Sequence, residues 1–382
     1  MGRRWAVVGL LTKGFEVEMY TGTPQGEAVG FADRIVAALP GFVREPDSRN
    51  VEYTTPPLPR YEHLLVALLK PRAQLRAYLQ TLGDYTLLPG STLALGGSDR
   101  FVRSDPQNPY HDYIEQTYGT RVVTASIHIN VGIPEPELLM QACRLIRMEA
   151  ALYLALSASS PFLDGQVTGS FSHRWQVFPR TPATVPLFAS HSHYIDWTND
   201  QLALGTMQNV RHLWSSVRPN GDRRPYDLNR LELRICDLVS DPVALLAITT
   251  LLELRLHQML AKPESLDPLT RSPFTPTELA AIADRNEDAV ARQGLAAPIV
   301  RWDTGETLSA ADWIANQQAE VTDLARELGI ACFLGPLSSI LAHGPEAHRW
   351  LQAHHQGRSP TDILQTAIQT MAHQEQNLLV LL

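Results

Sequence analysis

The alternation of apolar and polar residues predicts strands at four places along the chain. They cover about residues 13–20, 50–55, 120–133 and 226–237, and the clearest segments read KGFEVEMY, SIHINVGI and RLELRICD. Because successive side chains of a strand point to opposite faces, each segment has one apolar face and one polar face. The pattern therefore predicts an antiparallel sheet with one face packed against helices.

Apolar residues at helical spacing predict helices at about residues 26–39, 61–83, 107–118, 134–159 and 240–261. The segment 134–159 has proline near its start and acids in its first turn, which are typical of a helix N-terminus. Pro71 is expected to interrupt the helix at 61–83 or to open its second part. Residues 180–200, with two prolines and the cluster HSH, are expected to form a loop.

A proline-rich segment at 262–276, KPESLDPLTRSPFTP, separates two regions of different pattern. Strands and helices are mixed before it, whereas the chain after it is helical by pattern. The sequence therefore predicts an α+β body over residues 1–262 and a mainly helical portion over residues 263–382. We expect this portion to pack on the body as part of one structural unit.

The polar faces of the predicted strands carry a distinctive set of groups: Glu16, Glu18, Glu52, Thr124, Ser126, His128, Asn130, Arg230, Glu232 and Arg234. A sheet with one face in water explains any one of these strands, but it explains the whole set less well. Crowded carboxylates repel one another unless a cation lies between them. Oxygen ligands suit Mg²⁺ or Mn²⁺, and arginine suits phosphate oxygens. The set predicts a divalent-metal site for a phosphate-bearing substrate.

Composition narrows the classes of protein. The 382 residues carry a formal net charge of −8 and their basic residues are scattered, so no nucleic-acid partner is expected. The three cysteines, Cys143, Cys236 and Cys332, are far apart, which argues against a disulfide framework and a structural zinc site.

Targeting signals are weak in this sequence. No apolar stretch reaches the length of a membrane span. The start, MGRRWAVVGLLTKGFEV, imitates a signal peptide, but its apolar run is short and no small-residue cleavage pattern follows. We therefore expect a cytoplasmic protein with no membrane partner.

With these segments in hand, the chain resembles the glutamate–cysteine ligases, in particular the compact bacterial kind related to the carboxylate–amine ligases. The matching segments, in family order, are GFEVE, VEYTTPPL, SIHINVGI, LSASSPFLDGQVTGSFSHR and LELRICD, with fainter matches at NPYHDYIEQTYG and NEDAVARQGL. Related enzymes carry a GTHP-like stretch where this chain has LALGGSDR, so no residue of that loop is assigned to the site.

The resemblance implies a fold and a reaction. The family fold is glutamine-synthetase-like: a curved antiparallel sheet backed by helices. The implied reaction is ATP-dependent ligation of the glutamate γ-carboxylate to the amine of cysteine, through an acyl phosphate, giving γ-glutamylcysteine for glutathione biosynthesis. The implied cofactors are ATP and Mg²⁺ or Mn²⁺, and the substrates are glutamate and cysteine. The oligomeric state stays open.

The resemblance also implies roles for particular residues. The implied metal ligands are Glu16, Glu18, Glu52, His128 and Glu232. Arg234 would stabilise the transferring phosphoryl group, and Glu232 and Arg174 would complete the catalytic set. Arg174 would bind phosphate or a substrate carboxylate, and Asn130 would orient glutamate or nucleotide.

Alternatives remain for several residues. His128 could be a core histidine, although its H-x-N setting favours a ligand. Asp164 lies in a Pro/Gly-rich segment and is as well explained by a turn cap. His191 and His193 have no third ligand nearby in sequence, which favours a surface loop. Cys236 fits a small buried residue better than a nucleophile.

Alternatives also remain for the function. The same ligase chemistry could serve a different amine, and the chain could be a nucleotide- or metal-binding protein on this scaffold that does no ligation. The intact set of acids, His128 and Arg234 counts against the second alternative.

Overall fold

The computed structural model describes residues 9–381. Its strands are β1 (Lys13–Gly22), β2 (Phe42–Arg44), β3 (Asn50–Thr54), β4 (Thr86–Leu88), β5 (Ile127–Gly132), β6 (Phe162–Leu163), β7 (Gln166–Val167), β8 (Val217–Asn220), β9 (Arg230–Leu233), β10 (Pro298–Val300) and β11 (Thr307–Ser309). The first eight residues, on which the signal-peptide alternative depends, lie outside the described part of the chain.

The helices divide into two groups along the chain. The first is α1 (Ala32–Ala38), α2 (Tyr61–Leu82), α3 (Pro109–Tyr118), α4 (Pro136–Ser157), α5 (His173–Val177), α6 (His191–Ala203) and α7 (Pro242–Ala261). The second is α8 (Pro268–Arg271), α9 (Pro276–Gln293), α10 (Ala310–Glu327), α11 (Ala331–Leu334), α12 (Pro336–His343), α13 (Glu346–His355) and α14 (Pro360–Leu381).

The main sheet has the strand order β2-β3-β1-β5-β9-β8, and β4 pairs with the far end of β1. Each of these pairings is antiparallel. The register places Glu18 opposite Glu52, and Glu16 opposite His128. Because directly opposed residues share a face, the pairing gathers the acids of separate strands. The predicted antiparallel sheet backed by helices is confirmed, and so is the helical C-terminal portion.

The opposite face of the sheet is the core. Its residues are buried: Phe15, Val17, Met19, Val51, Tyr53, Ile127, Ile129, Val131, Leu231 and Leu233. Helix α2 packs on β1, while α4 packs on β8 and β9, and α7 lies against both helices. Within residues 9–381, α7 alone is long and apolar enough to cross a membrane, and 83% of its apolar window is buried inside the protein.

One buried ion pair links α7 to the start of β1. Lys13 Nζ lies 2.8 Å from Glu253 Oε2, and both side chains are fully buried. The Tyr61 hydroxyl donates to the same carboxylate at 2.6 Å, and the main-chain N–H of Leu11 donates to its other oxygen at 2.6 Å. A buried carboxylate with several donors is stabilised in its charged form, so this cluster fixes the strand that carries Glu16 and Glu18.

The helices after residue 262 contact the sheet-bearing part directly. Glu375 of α14 is buried and accepts from Arg76 Nη2 of α2 at 2.8 Å. The main-chain N–H of Ala347 in α13 donates to the carbonyl of Ala158 at 2.9 Å. These contacts agree with packing as one unit, while the division at residue 262 stays a prediction.

Several element predictions differ from the structure. Helix α2 continues through Pro71, because buried leucines on both sides hold it against the core. The HSH cluster begins α6, where the Ser190 side chain accepts from the His193 N–H at 3.1 Å; a serine N-cap was overlooked. Strand β8 was also missed, because its Pro219 is typical of an edge strand.

Candidate active site

The polar face of the sheet brings the predicted site residues together in two adjacent groups. The first is Glu16, His128 and Glu232, from three neighbouring strands; the second is Glu18, Glu45 and Glu52. In each group, one ligand atom from every residue lies within 4.8 Å of the others. We call them the histidine triad and the carboxylate triad.

Close polar contacts link the residues of the histidine triad. His128 Nδ1 lies 3.0 Å from Glu16 Oε2 and 3.6 Å from Glu232 Oε1. The other ring nitrogen, Nε2, lies 3.2 Å from Ser126 Oγ and 3.8 Å from Glu18 Oε1. His128 is buried, so its ring connects the two triads. These contacts disagree with the alternative that His128 is an isolated core histidine.

The carboxylate triad contains a residue that the sequence prediction missed. Glu45 follows β2, whose Val43 lies opposite Glu52. Since i and i+2 share a face of an extended segment, Glu45 follows Val43 onto the face of Glu52. The alternation in FVREP was the available signal, and it was too short to stand out.

The carboxylates of the two triads differ in the direction of their pKa shifts. Burial raises the pKa of Glu52 well above its ordinary value, and repulsion from Glu16 and Glu18 adds to this effect. Burial likewise raises the pKa of Glu45, together with repulsion from Glu18 and Glu52. Burial and mutual repulsion therefore disfavour the charged forms of Glu45 and Glu52, and the charge of Arg234 opposes this effect only in part.

In the histidine triad, by contrast, the charged forms of the two carboxylates are favoured. Burial opposes ionisation of Glu232, but the charges of Arg218, Arg234 and His128 outweigh it and hold its pKa well below the ordinary value. For Glu16, burial and the charge of Glu232 raise the pKa, whereas the hydrogen bond and charge of His128 lower it, and the net shift is downward.

Arg218, which the sequence analysis did not place in the site, is the main partner of Glu232. It donates from Nε to Oε2 at 2.7 Å and from Nη2 to Oε1 at 3.0 Å, the bidentate geometry that suits arginine. Asn220 Nδ2 donates to Oε2 at 2.7 Å. Burial and the nearby Arg234 lower the pKa of Arg218 to about 10.

Arg234 lies one residue beyond the end of β9 and points into the site. Its Nη1 donates to Glu232 Oε1 and lies 3.4 Å from His128 Nδ1. Its side chain is 11% exposed, so part of the guanidinium faces the cavity. A ligand placed over the triads would contact this cation.

Arg174 lies beneath Arg234 rather than beside the acids. Its Nη1 and Nη2 donate to the main-chain carbonyls of Ile235 and Arg234 at 3.0 and 3.1 Å. Within residues 9–381, no hydrogen-bond partner accepts from its buried Nε. The residue lines the same cavity as Glu18 and Arg234.

Two cavities meet at Glu16. One, of about 330 Å³, is lined by every residue of the two triads except the fully buried Glu232, and also by Arg174, Arg234, Tyr110 and Trp214. The other, of about 650 Å³, lies at the Asn130 end of the same face and is lined by Thr54, Thr55, Asn229 and Arg230 among others. Asn130 Nδ2 donates to Glu16 Oε1 at 3.1 Å, so the asparagine stands between the acids and the second cavity.

The other candidates lie elsewhere. Asp164 is at the β6–β7 turn with φ of +48° and accepts from the Ser98 N–H at 3.2 Å, as a turn residue does. His191 and His193 begin α6, and His191 Nε2 lies 2.8 Å from the Pro225 carbonyl oxygen. Cys236 is buried, and burial raises the pKa of its thiol to about 12, which makes it a poor nucleophile.

Two sequence relatives of this chain carry the same provisional name. A relative from Herpetosiphon aurantiacus, provisionally named glutamate–cysteine ligase 2, is 25% identical over 304 residues, which cover 76% of this chain and 75% of the relative. A relative of the same provisional name from Gloeobacter violaceus is 29% identical over 63% of this chain and 62% of its own length.

Solved structures show the same fold. A glutamate–cysteine ligase from Francisella tularensis in complex with AMP superposes with a TM-score of 0.76 at 12% identity, covering 96% of this chain and 89% of its own. A bifunctional glutathione synthetase from Pasteurella multocida gives 0.72 at 15% identity, covering 96% and 53%. The profile of glutamate–cysteine ligase family 2 (GCS2) matches residues 12–376. The chain therefore belongs to glutamate–cysteine ligase family 2.

Proposed function

We propose that this protein is an ATP-dependent ligase that joins the γ-carboxylate of glutamate to the amine of cysteine. The observation that carries the proposal is the pair of adjoining acid triads on one sheet face, with Arg234 directed at them. A site built for phosphoryl transfer needs concentrated positive charge around the moving phosphate. Arginines and divalent cations together would supply it.

The residues fit Mg²⁺ or Mn²⁺. In the carboxylate triad, burial and mutual repulsion raise the pKa values of Glu45 and Glu52, and a divalent cation would relieve that repulsion. We assign Glu18, Glu45 and Glu52 to one ion and Glu16, His128 and Glu232 to another. When bound, such ions neutralise phosphate oxygens and orient the γ-phosphate.

The two cavities support two routes of approach. The larger one, beside Asn130 and Glu16, offers the volume for a nucleoside, with its phosphates reaching Glu16. The smaller one offers Arg174, Arg218 and the aromatic residues Tyr110, Phe178 and Trp214, which suit an amino-acid substrate. ATP and glutamate would then meet over the triads.

The proposed reaction has two steps. A γ-carboxylate oxygen of glutamate attacks the γ-phosphorus of ATP, and ADP leaves. The amine of the acceptor then attacks the acyl carbon, phosphate leaves with the C–O bond electrons, and the amine loses a proton. Arg234, which contacts Glu232 and His128, would stabilise charge on the transferring phosphoryl group, an interaction that strengthens in the transition state.

Cysteine as the acceptor rests on the family to which the chain belongs. The triads and arginines serve any γ-glutamyl phosphate, so the same chemistry with another amine is the second candidate. The cytoplasmic location and the lack of a nucleic-acid partner remain predictions.

The test is phosphate release from ATP with Mg²⁺ and glutamate, with and without each of a panel of amines that includes cysteine. We expect release to depend strongly on cysteine. Release with another amine instead would keep the mechanism and replace the acceptor. No release with any amine would refute the ligase proposal.

A further inference from the structure

The main chain at Arg234 continues past the end of β9 at Leu233 and lies beside Ser216, the residue directly before β8. The Arg234 N–H donates to the carbonyl of Ser216 at 2.7 Å, and its carbonyl accepts from Arg174 Nη2 at 3.1 Å. The direction of the Arg234 side chain therefore depends on where Ser216 and Arg174 are fixed.

Ser216 is in turn fixed by a buried arginine of α4. Arg147 Nη1 donates to Ser216 Oγ and to Glu287 Oε1, and Arg147 Nη2 donates to Asp284 Oδ1. Ser216 and Glu287 are fully buried. Glu287 comes from α9, in the NEDAVARQGL segment, to which the proposed reaction gives no role.

Two further cavities lie among the helices of the protein. A cavity of about 540 Å³ between α7 and α10 is lined by Arg255, but that arginine is already bound by Glu149 through Nε and Nη2. A cavity near Glu346, of about 320 Å³, is lined by Asp241, His343 and Arg349 among others and shares no lining residue with the cavity over the triads. The Arg147–Glu287 pair is different, because its contacts lead to a residue of the site.

We propose that Glu287 and Arg147 are positioning residues: through Ser216 they fix the main chain of Arg234 so that its guanidinium points at the triads. The inference rests on the proposed function, because it assigns Arg234 to the phosphoryl transfer. A small displacement of a catalytic group costs a large factor in rate. Weakening this support should therefore lower turnover more than substrate binding.

The molecule contains a matched control one helical turn away. Arg144, also on α4 and buried, is bound bidentately by buried Asp267, at 3.0 Å from Nε and 2.6 Å from Nη2. It also donates to the main-chain carbonyl of Phe188 at 2.7 Å. Asp267→Asn thus damages a buried ion pair of the same helix that leads away from Arg234.

The experiment compares Glu287→Gln with Asp267→Asn in the full chain. We expect Glu287→Gln to lower kcat about tenfold and to leave KM for ATP within about twofold. Asp267→Asn should keep the wild-type kcat even if its melting temperature falls as far. Ser216→Ala, which removes the hydroxyl and keeps the carbonyl that Arg234 uses, should lower kcat roughly threefold.

A second measurement does not need turnover. Amide hydrogen exchange of the segment containing Arg234 should be faster in Glu287→Gln than in wild type, and unchanged in Asp267→Asn. Unchanged exchange in Glu287→Gln, or equal kcat losses in both ion-pair variants, would overturn the positioning role. If wild type itself shows no ligation, the proposed function fails and the exchange result still decides whether Glu287 holds Arg234.

Discussion

The two triads lie side by side on one sheet face, yet the protein stabilises their negative charge to different extents. In the histidine triad, Glu232 accepts four hydrogen bonds from Arg218, Arg234 and Asn220, and its pKa is lowered. In the carboxylate triad the pKa values of Glu45 and Glu52 are raised. Protein cations stabilise the charged form of Glu232 in one triad, whereas in the other the charged forms of Glu45 and Glu52 depend on a bound cation.

The difference teaches that an acidic cluster can have two kinds of energetic role. Removing a carboxylate from the balanced triad leaves buried cations without a partner, which costs stability. Removing one from the unbalanced triad relieves repulsion and costs only ligand binding. Activity alone would not separate these cases, whereas activity and stability measured together do.

The largest expected effect comes from Glu18→Gln and Glu232→Gln. Both should abolish metal-dependent turnover, since each removes a proposed ligand. Only Glu232→Gln should destabilise the fold, by about 3–5 kcal/mol, because Arg218 would lose its buried partner. Turnover assays and urea unfolding of both variants check this, with Glu306→Gln at an exposed position as the control. Normal rates in both variants would sink the metal-site hypothesis.

A large effect is also expected from Arg234→Lys. Lysine keeps the charge but loses the planar donor geometry, so turnover should fall roughly 100-fold, as when one transition-state donor is lost. The KM for ATP should change only a few-fold. Steady-state kinetics at saturating glutamate measures both quantities. An unchanged turnover would remove Arg234 from the mechanism.

A smaller effect is expected on the thermal stability that metal binding at the carboxylate triad provides. Mn²⁺ should raise the melting temperature of the wild-type protein, because an ion that binds the folded state stabilises it. Glu45→Gln should lose part of this increase while keeping or raising the melting temperature in EDTA. A thermal-shift titration with and without Mn²⁺ measures both. An undiminished Mn²⁺ effect in Glu45→Gln would exclude this residue as a ligand.

The smallest effect is the pH dependence of stability in EDTA, where the triads should act with opposite signs. The raised pKa of Glu52 means that its contribution is present below its ordinary value of 4.5 and is lost as pH rises above it. The lowered pKa of Glu232 means that its contribution is present above 4.5 and is lost as pH falls.

Urea midpoints measured from pH 4 to pH 8 test this contrast. Glu52→Gln should reduce the loss of stability on the alkaline side, and Glu232→Gln should reduce the loss on the acid side. The same pH profile in both variants would contradict the distinction between the triads.

The sequence predicted the strands of the site because their signal is local. The two-residue alternation around Glu16, Glu18 and His128 is legible without a partner, and the antiparallel register then brings those residues together. Arg218 lies in β8 and Glu45 directly follows β2, and both residues were missed because these strands are only four and three residues long. Such short strands exist only because neighbouring strands pair with them.

Other differences have equally specific causes. The HSH segment was assigned to a loop because two prolines precede it, whereas the Ser190 cap that begins α6 depends on one side chain. The role of Arg174 under the main chain of Arg234 could not be read from spacing at all, since sixty residues separate the two.

The most direct test of the account is the fate of oxygen from glutamate. With glutamate labelled by ¹⁸O in the γ-carboxylate, ATP, Mg²⁺ and cysteine, activation through an acyl phosphate transfers one labelled oxygen to the released phosphate. We predict one ¹⁸O atom per phosphate, formed together with the γ-glutamyl product. Unlabelled phosphate would show that ATP is hydrolysed without activating glutamate, which would contradict the assignment of this site to ligation.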